Sequence, residues 1–167
     1  AEPLPRFRVG PFAPVAQRGP VTDEVDVTII SGGIAGVVAA AQLRKQGITR
    51  IRIVDQAGGV GGTWYWNRYP GVMCDVESYI YMPMLEEMGY VPTRRYALGE
   101  EIRTHIESIA TKFGLLDDAQ FHTAVSRATR DDDAARWRIE TDSGDSCTSP
   151  SSLLAVRSRT RTRRNFS

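Results

Sequence analysis

The chain alternates between apolar runs and glycine- or proline-marked breaks, and the breaks define its elements. Val25-Asp26-Val27-Thr28-Ile29-Ile30 is mostly β-branched and predicts a buried strand. Ser31-Gly32-Gly33-Ile34-Ala35-Gly36 follows as a glycine turn. Val37 to Gln46 is rich in helix-favouring Ala, Leu, Gln, Arg and Lys, and Gly47 is placed to stop the helix. Arg50 to Asp55 reads as a second strand. A strand–turn–helix–strand unit of this length implies two parallel strands joined by a right-handed crossover. Farther on, Ile102, Ile106, Ile109 and Phe113 recur at helical spacing, so Glu100 to Phe113 predicts an amphipathic helix closed by Gly114. Phe121 to Thr129 and Arg136 to Asp142 alternate like two strands, with Asp131-Asp132-Asp133 in the turn between them. The pattern predicts an α/β fold: a βαβ core, a partial parallel sheet and a small β-hairpin addition.

The two ends are different. Residues 1–24 hold five of the nine prolines, which fix φ and remove backbone donors, so an extended lead-in is expected there. The formal charge of +1 is an average: residues 1–156 carry 16 basic and 20 acidic side chains, a net of −4, while residues 157–167 carry five arginines and no acid. The boundaries that follow are 1–24 for the lead-in, 25–148 for the folded unit and 149–167 for a Ser/Arg-rich tail. No apolar run approaches the roughly 18 residues that span a bilayer, and no secretory signal is visible. Two cysteines make no disulfide framework, and two histidines without ligand-like spacing argue against a metal enzyme. A cytoplasmic location is the resulting expectation. The arginine tail lacks interleaved aromatics apart from Phe166, so no nucleic-acid partner is expected.

Candidate chemistry concentrates in the first half. Nine of the 15 glycines lie between residues 32 and 71, and six of the 14 aromatics lie between Trp64 and Tyr81. A dinucleotide turn uses three glycines between strand and helix: for the tight turn, for close approach to pyrophosphate, and for helix–strand packing. Here Ser31, Gly33 and Gly36 hold those positions. Asp55 closes the second strand, 19 residues after Gly36, where an acid can bond a ribose hydroxyl. The alternative is a glycine-rich turn without a ligand. A second glycine loop then runs Gly58-Gly59-Val60-Gly61-Gly62-Thr63-Trp64-Tyr65-Trp66-Asn67-Arg68-Tyr69-Pro70-Gly71, which suits a long cofactor with a large planar ring.

The run GGVGGTWYWNRYPGVMCDVESYIYMPMLEEMGY resembles the N-terminal FAD-binding region of Baeyer–Villiger monooxygenases, within the wider class of NADPH-dependent flavin monooxygenases. The resemblance covers roughly residues 5–145. It implies a Rossmann-like FAD-binding domain, incomplete in this chain, and a parent reaction that uses NADPH and O₂ to insert oxygen into a ketone, giving an ester or lactone. It implies that Gly33, Ala35 and Gly36 lie against the FAD pyrophosphate and that Asp55 serves the adenosine ribose. Thr63, Trp64, Tyr65 and Trp66 would line the flavin side, and Tyr81 would border the flavin. Asp75 matches the acid beside flavin and nicotinamide and is the one catalytic candidate. Met73 and Cys74 would neighbour the nicotinamide of NADPH, and the backbone of Val125 would meet the adenine.

Each assignment has a plainer alternative. Trp64 and Trp66 can be core aromatics, Asp75 a helix N-cap or turn residue and Cys74 a small buried residue, while Arg68 can position a phosphate or ring or pair with an acid such as Asp75. His105 reads as a surface residue and His122 as a structural residue in a strand. Two other functions stay open: part of a heteroatom-oxidising flavin monooxygenase, or a non-catalytic flavin-binding remnant. The resemblance stops after Asp145. The glycine turn and second nucleotide domain that the family carries next have no counterpart; Leu153-Leu154-Ala155-Val156 is a candidate remnant of the strand before them, but Arg157 stands where the glycine is needed, and the Ser/Arg-rich composition from Ser149 suggests an out-of-frame end. Alone, the chain is expected to lack catalysis.

Overall fold

The computed structural model describes residues 18–154. The first 17 residues of the lead-in and the tail from residue 155 lie outside that range. In chain order the elements are β1 (Thr22–Glu24), β2 (Val27–Ile30), α1 (Ile34–Lys45), β3 (Ile51–Val54), the one-turn helices α2 (Thr63–Trp66), α3 (Ser78–Tyr81) and α4 (Leu85–Met88), then α5 (Gly99–Lys112), β4 (Ala119–Gln120), β5 (Val125–Asp131), β6 (Arg136–Thr141), β7 (Ser146–Ser149) and β8 (Ser151–Leu154).

Two four-stranded sheets form. One is parallel throughout in the order β4-β3-β2-β8, and the other runs β1-β7-β6-β5. The expected βαβ unit is β2-α1-β3, in register from Val27 opposite Ile51 to Ile30 opposite Val54. Strand side chains alternate between faces. Val27 and Ile29 join Val37, Ala40 and Ala41 of α1 and Ile102, Ile106 and Ile109 of α5 in the larger core. Thr28 therefore points the other way, towards the second sheet. Its hydroxyl meets Ser149 Oγ at 3.0 Å and Cys147 Sγ at 3.4 Å on β7. A polar residue in the middle of an apolar strand is thus satisfied between layers. Burial pushes the Cys147 thiol up to about 12, so it stays neutral. A smaller core of Val25, Ile139 and Cys147 fills the rest of that layer.

Three expectations need correcting. The strand expected from Phe121 begins only at Val125; His122 before it has φ 53°, which no strand accommodates. The hairpin that follows matches its expected position: β5 and β6 are antiparallel, and residues 132–135 make the turn. The tail boundary at 149 is also too early. Ser151 to Leu154 form β8, parallel to β2 from Val27 opposite Ser151 to Ile30 opposite Leu154. Leu153 and Leu154 mark a candidate remnant of the family's next strand; the strand starts two residues earlier, at Ser151, because the open edge of β2 pairs with any backbone that can supply the ladder. Finally, His105 is buried on α5, its Nε2 2.7 Å from the Pro83 carbonyl and its ring against Tyr90.

The lead-in joins the fold before residue 25. β1 lies parallel to β7, and the Arg18 guanidinium grips Asp145 at 2.5 and 2.6 Å. Asp145 also accepts from Val21 N at 2.8 Å and from Thr141 Oγ1 at 3.2 Å.

Candidate functional site

The site grows from the end of β2. Ser31 leaves the strand with φ 155°, a backbone that L residues rarely adopt, and its hydroxyl compensates by accepting Gly33 N at 3.0 Å. Gly33 caps α1, and Val37 N closes the first helical bond to Gly33 O at 3.0 Å. The first-turn N–H groups of a helix have no carbonyl within the helix, and with the dipole they favour an anion. α1 has 12 residues and no acid in its first turn, so among the described residues the helix itself brings no negative charge to that end. Gly36 is required by contact: a Cβ there would lie 2.0 Å from the Ser31 carbonyl oxygen.

The second glycine loop packs on the first. Gly61 N donates to Gly32 O at 2.8 Å, and a Cβ on Gly62, whose φ is 55°, would sit 2.8 Å from Gly33 Cα. The two loops form one backbone platform with no side chains between them. Asp55, at the end of β3, clamps it: Oδ2 accepts Gly32 N at 2.5 Å and Oδ1 accepts Ala57 N at 2.7 Å. Burial holds the Asp55 carboxyl above the usual carboxylate range, outweighing those two bonds. Sequence spacing suggested the ribose for Asp55 but gave no sign that it also ties the glycine turn to its own strand.

The sign of the Asp55 shift gives an expected result. A folded-state pKa above the unfolded value means that the stabilisation is full below about pH 3.9 and fades as pH rises through the folded value. Asp55→Ala should cost about 2 kcal/mol in acid, from two orphaned N–H groups, and less towards neutrality. Urea unfolding of both proteins from pH 3.5 to 7.5 checks it; a cost that grows with pH would contradict the shift.

α2 carries the aromatic motif. Trp64 and Tyr65 are buried, and Trp66 stands edge-on to Tyr65 at 5.1 Å between ring centroids. Trp64 Nε1 donates to Tyr81 Oη at 3.0 Å, with the rings perpendicular, which joins α2 to α3. Trp64 is therefore both core and site wall. Trp64→Phe should cost about 1 kcal/mol for the lost bond, read as a lower urea midpoint; no change would show the bond to be idle. Thr63 opens α2, and its carbonyl accepts Asn67 Nδ2 at 2.8 Å. Arg68 does not pair with Asp75: its Nε donates to the Tyr65 carbonyl at 2.9 Å and its guanidinium lies over the Tyr65 ring. Burial, then the nearby Arg103, lowers the Arg68 pKa.

Met73, Cys74 and Asp75 follow as an irregular strip tied to the start of α5. Met73 bridges Leu98, Cys74 N donates to Ala97 O at 3.0 Å, and Gly99 N donates to Val72 O at 2.9 Å. Cys74 is buried, with Sγ accepting Val76 N at 3.4 Å; Met73 and Asp75 are exposed. Asp75 is not the helix cap, since Glu77 holds that position for α3, but lies in the bend before it. Val125 begins β5 opposite Thr141. Residues 120–123 bring it near Asp55: Asp55 N donates to Gln120 O at 3.0 Å, Thr123 N to Asp55 O at 3.0 Å, and His122 N to Ala57 O at 2.8 Å. The two glycine loops, Ala35, Asp55 and the lead into Val125 therefore share one end of the parallel sheet. Thr63 to Trp66 connect them to Tyr81, and Met73 to Asp75 lie along the start of α5.

Sequence reasoning reads His122 as a structural strand residue and misses its contact. The His122 ring meets Gly58, where a Cβ would lie 2.5 Å from Cε1, and both ring nitrogens are buried with no hydrogen-bond partner among the described residues. The tight approach explains Gly58. No residue spacing signalled it.

Residues 29–90 match a family described as an NAD(P)-binding Rossmann-like domain. Pentalenolactone D synthase of Streptomyces arenae is 52% identical over 141 residues, which is 84% of this chain and 24% of that protein. A Baeyer–Villiger monooxygenase of Streptomyces coelicolor is 53% identical over 128 residues, 77% of this chain and 21% of that protein. The chain is homologous to the N-terminal part of Baeyer–Villiger monooxygenases. Among solved structures, the polycyclic ketone monooxygenase of Thermothelomyces thermophila superposes with a TM-score of 0.75 at 38% identity, over 86% of this chain and 24% of that one. An oxidised steroid monooxygenase bound to NADP gives a TM-score of 0.74 at 39% identity, over 79% and 26%. The chain thus spans about a quarter of the length of the monooxygenases it matches. Among the described residues, no helix is long and apolar enough to cross a membrane, and no cluster of three metal-ligating side chains occurs.

Proposed function

We propose that this chain is the FAD-binding N-terminal part of a Baeyer–Villiger monooxygenase that uses NADPH and O₂ to convert ketones to esters or lactones. The observation that carries the reading is the double glycine platform at the N-terminus of α1. A Cβ at Gly36 or Gly62 would collide with backbone, so the surface is bare main chain beside helix N–H groups. That suits a pyrophosphate, which needs close approach and donors rather than side-chain charge. The residues fit the cofactor. Gly33, Ala35 and Gly36 would hold the phosphates, with Asp55 beside the adenosine ribose and the Val125 backbone at the adenine. Thr63, Trp64, Tyr65, Trp66 and Tyr81 would form the flavin wall. Bound flavin supplies the redox and oxygen chemistry.

The chain's own part is positional. Asp55 holds the glycine turn on β3, so the turn is set before the cofactor arrives. Trp64 and Tyr81 hold the aromatic wall rigid through their mutual bond. Asp75 is exposed at the rim, where it can orient a cationic or hydrogen-bonding partner towards the flavin and nicotinamide, with Met73 and Cys74 next to the nicotinamide. The ketone pocket is not assigned to this chain. With both cysteines free and buried, a reducing cytoplasm is the setting proposed.

The test has two stages. The purified chain is titrated with FAD and followed by flavin fluorescence quenching; saturable quenching that Gly36→Val removes is expected. The chain is then grafted onto the remainder of the Streptomyces coelicolor relative and assayed with cyclic ketones and NADPH. Lactone formation is expected. Sulfoxidation without lactone formation would favour the heteroatom-oxidising alternative, and no flavin binding in either protein would defeat the proposal.

A further inference from the structure

The two glycine loops carry a single polar side chain. Across residues 31–36 and 58–62, only Ser31 has a side chain that can form a hydrogen bond. It stands where a dinucleotide turn ordinarily has its first glycine. The backbone there favours glycine too, with φ at 155°. The strain has no local way out. Ile30, just before, is in register with Val54 on one side and Leu154 on the other. Gly32, just after, is fixed twice: its N–H donates to Asp55 and its carbonyl accepts Gly61 N. The Ser31 carbonyl itself lies against Gly36. A strained residue that its neighbours hold in place, at a turn built for a ligand, points to function.

The hydroxyl shows what the serine adds. Its oxygen accepts Gly33 N at 3.0 Å, and a Cβ on Gly33 would lie 3.3 Å from that oxygen. It therefore sits over the otherwise bare main chain of the platform. It also takes up an N–H group that a plain glycine turn leaves open to a ligand. A hydroxyl that accepts still has its proton to give, and among the described residues that proton has no acceptor. Asp55 directs its two oxygens to Gly32 N and Ala57 N instead. We propose that Ser31 is a cofactor-binding residue: its O–H donates to a pyrophosphate oxygen of FAD, so that the Gly33 N–H acts on the phosphate through the hydroxyl rather than directly. The inference rests on the flavin reading and adds a side-chain ligand to a turn that otherwise offers backbone alone. The N–H behind the hydroxyl polarises it and strengthens its donation, and bonds to a charged oxygen are among the stronger ones. The serine thus weakens the empty turn and strengthens the loaded one.

Calorimetric titration with FAD, of the chain and of the graft described above, tests it with two substitutions. Ser31→Ala keeps the Cβ and its strain but removes the hydroxyl; Ser31→Gly removes both. Both should bind FAD about tenfold more weakly than the wild type. Ser31→Gly alone should show a higher urea midpoint without cofactor. ADP, which shares the diphosphate, should lose the same factor, and riboflavin, which has no phosphate, should lose nothing. FAD affinity equal to that of the wild type in both variants would overturn the inference, because Ser31 would then merely close the turn. A loss in Ser31→Ala that Ser31→Gly restores would overturn it too, since the shape of the turn and not the hydroxyl would govern binding. So would an equal loss for riboflavin, which would mean a disturbed site rather than a missing phosphate contact. If the wild type binds FAD in neither protein, the flavin reading fails and takes this inference with it, whereas the results above defeat the role of Ser31 alone.

Discussion

Gly36→Val will unfold the nucleotide turn and remove FAD binding together. Even the Cβ of alanine would lie 2.0 Å from the Ser31 carbonyl oxygen, far inside contact distance, with Ile29 Cγ2 at 3.3 Å behind it. The clash is with backbone, so no rotamer change relieves it. α1 must move away from β2, which opens the core at Val37, Ala40 and Ala41. Overpacking of this kind costs about 3 kcal/mol, a large share of the stability of a unit this size. Urea denaturation followed by tryptophan fluorescence reads the loss, and flavin fluorescence reads the binding. A valine variant within 0.5 kcal/mol of the wild type, by the ordinary scatter of surface substitutions, would mean that the turn adopts another shape in solution.

Asp145→Ala will be of similar size by a different route. The Asp145 side chain is 2% exposed, and it receives both guanidinium nitrogens of Arg18, the Val21 N–H and the Thr141 hydroxyl. Removing the acid leaves a partly buried cation and a backbone donor without their acceptor, at a cost of about 3 kcal/mol. The Arg18 bond holds the Asp145 carboxyl below the usual carboxylate range. A depressed folded-state pKa means that the stabilisation is full above about pH 3.9 and lost as pH falls through the folded value. The gap between wild type and Asp145→Ala, measured in urea, should therefore stay constant near neutrality and narrow in strong acid. A gap unchanged down to pH 2 would show that Arg18 does not make this contact in solution.

The two acids show why some of the molecule was legible in the sequence and some was not. Asp55 was found because its distance from a glycine turn is fixed by one strand and one helix. Asp145 was passed over because its partners, Arg18 and Val21, lie more than 120 residues away, and periodicity carries no information across such distances. Local pattern gave the βαβ unit, α5 and the hairpin, each within a few residues of its observed bounds. It failed where tertiary pairing decides. β8 is a strand because β2 offers an edge, and His105 is buried because Pro83 supplies a carbonyl. At the site, the motif run located the aromatic wall. The contact between the two glycine loops needed three dimensions, since Gly61 N to Gly32 O joins positions whose spacing follows no rule.

The pairing of β8 with β2 also sets an order of events during synthesis. Val27 emerges early, and its partner Ser151 is among the last residues of the described fold to be made. β1 waits equally long for β7, and Arg18 for Asp145. At about 5–20 residues per second, that delay is on the order of ten seconds. Through it, β2 has β3 on one side and an open edge on the other. A ribosome stalled before residue 151 would hold a nascent chain whose central strand can pair with a foreign one. Chaperone dependence should therefore peak in that interval and fall once β8 has left the exit tunnel.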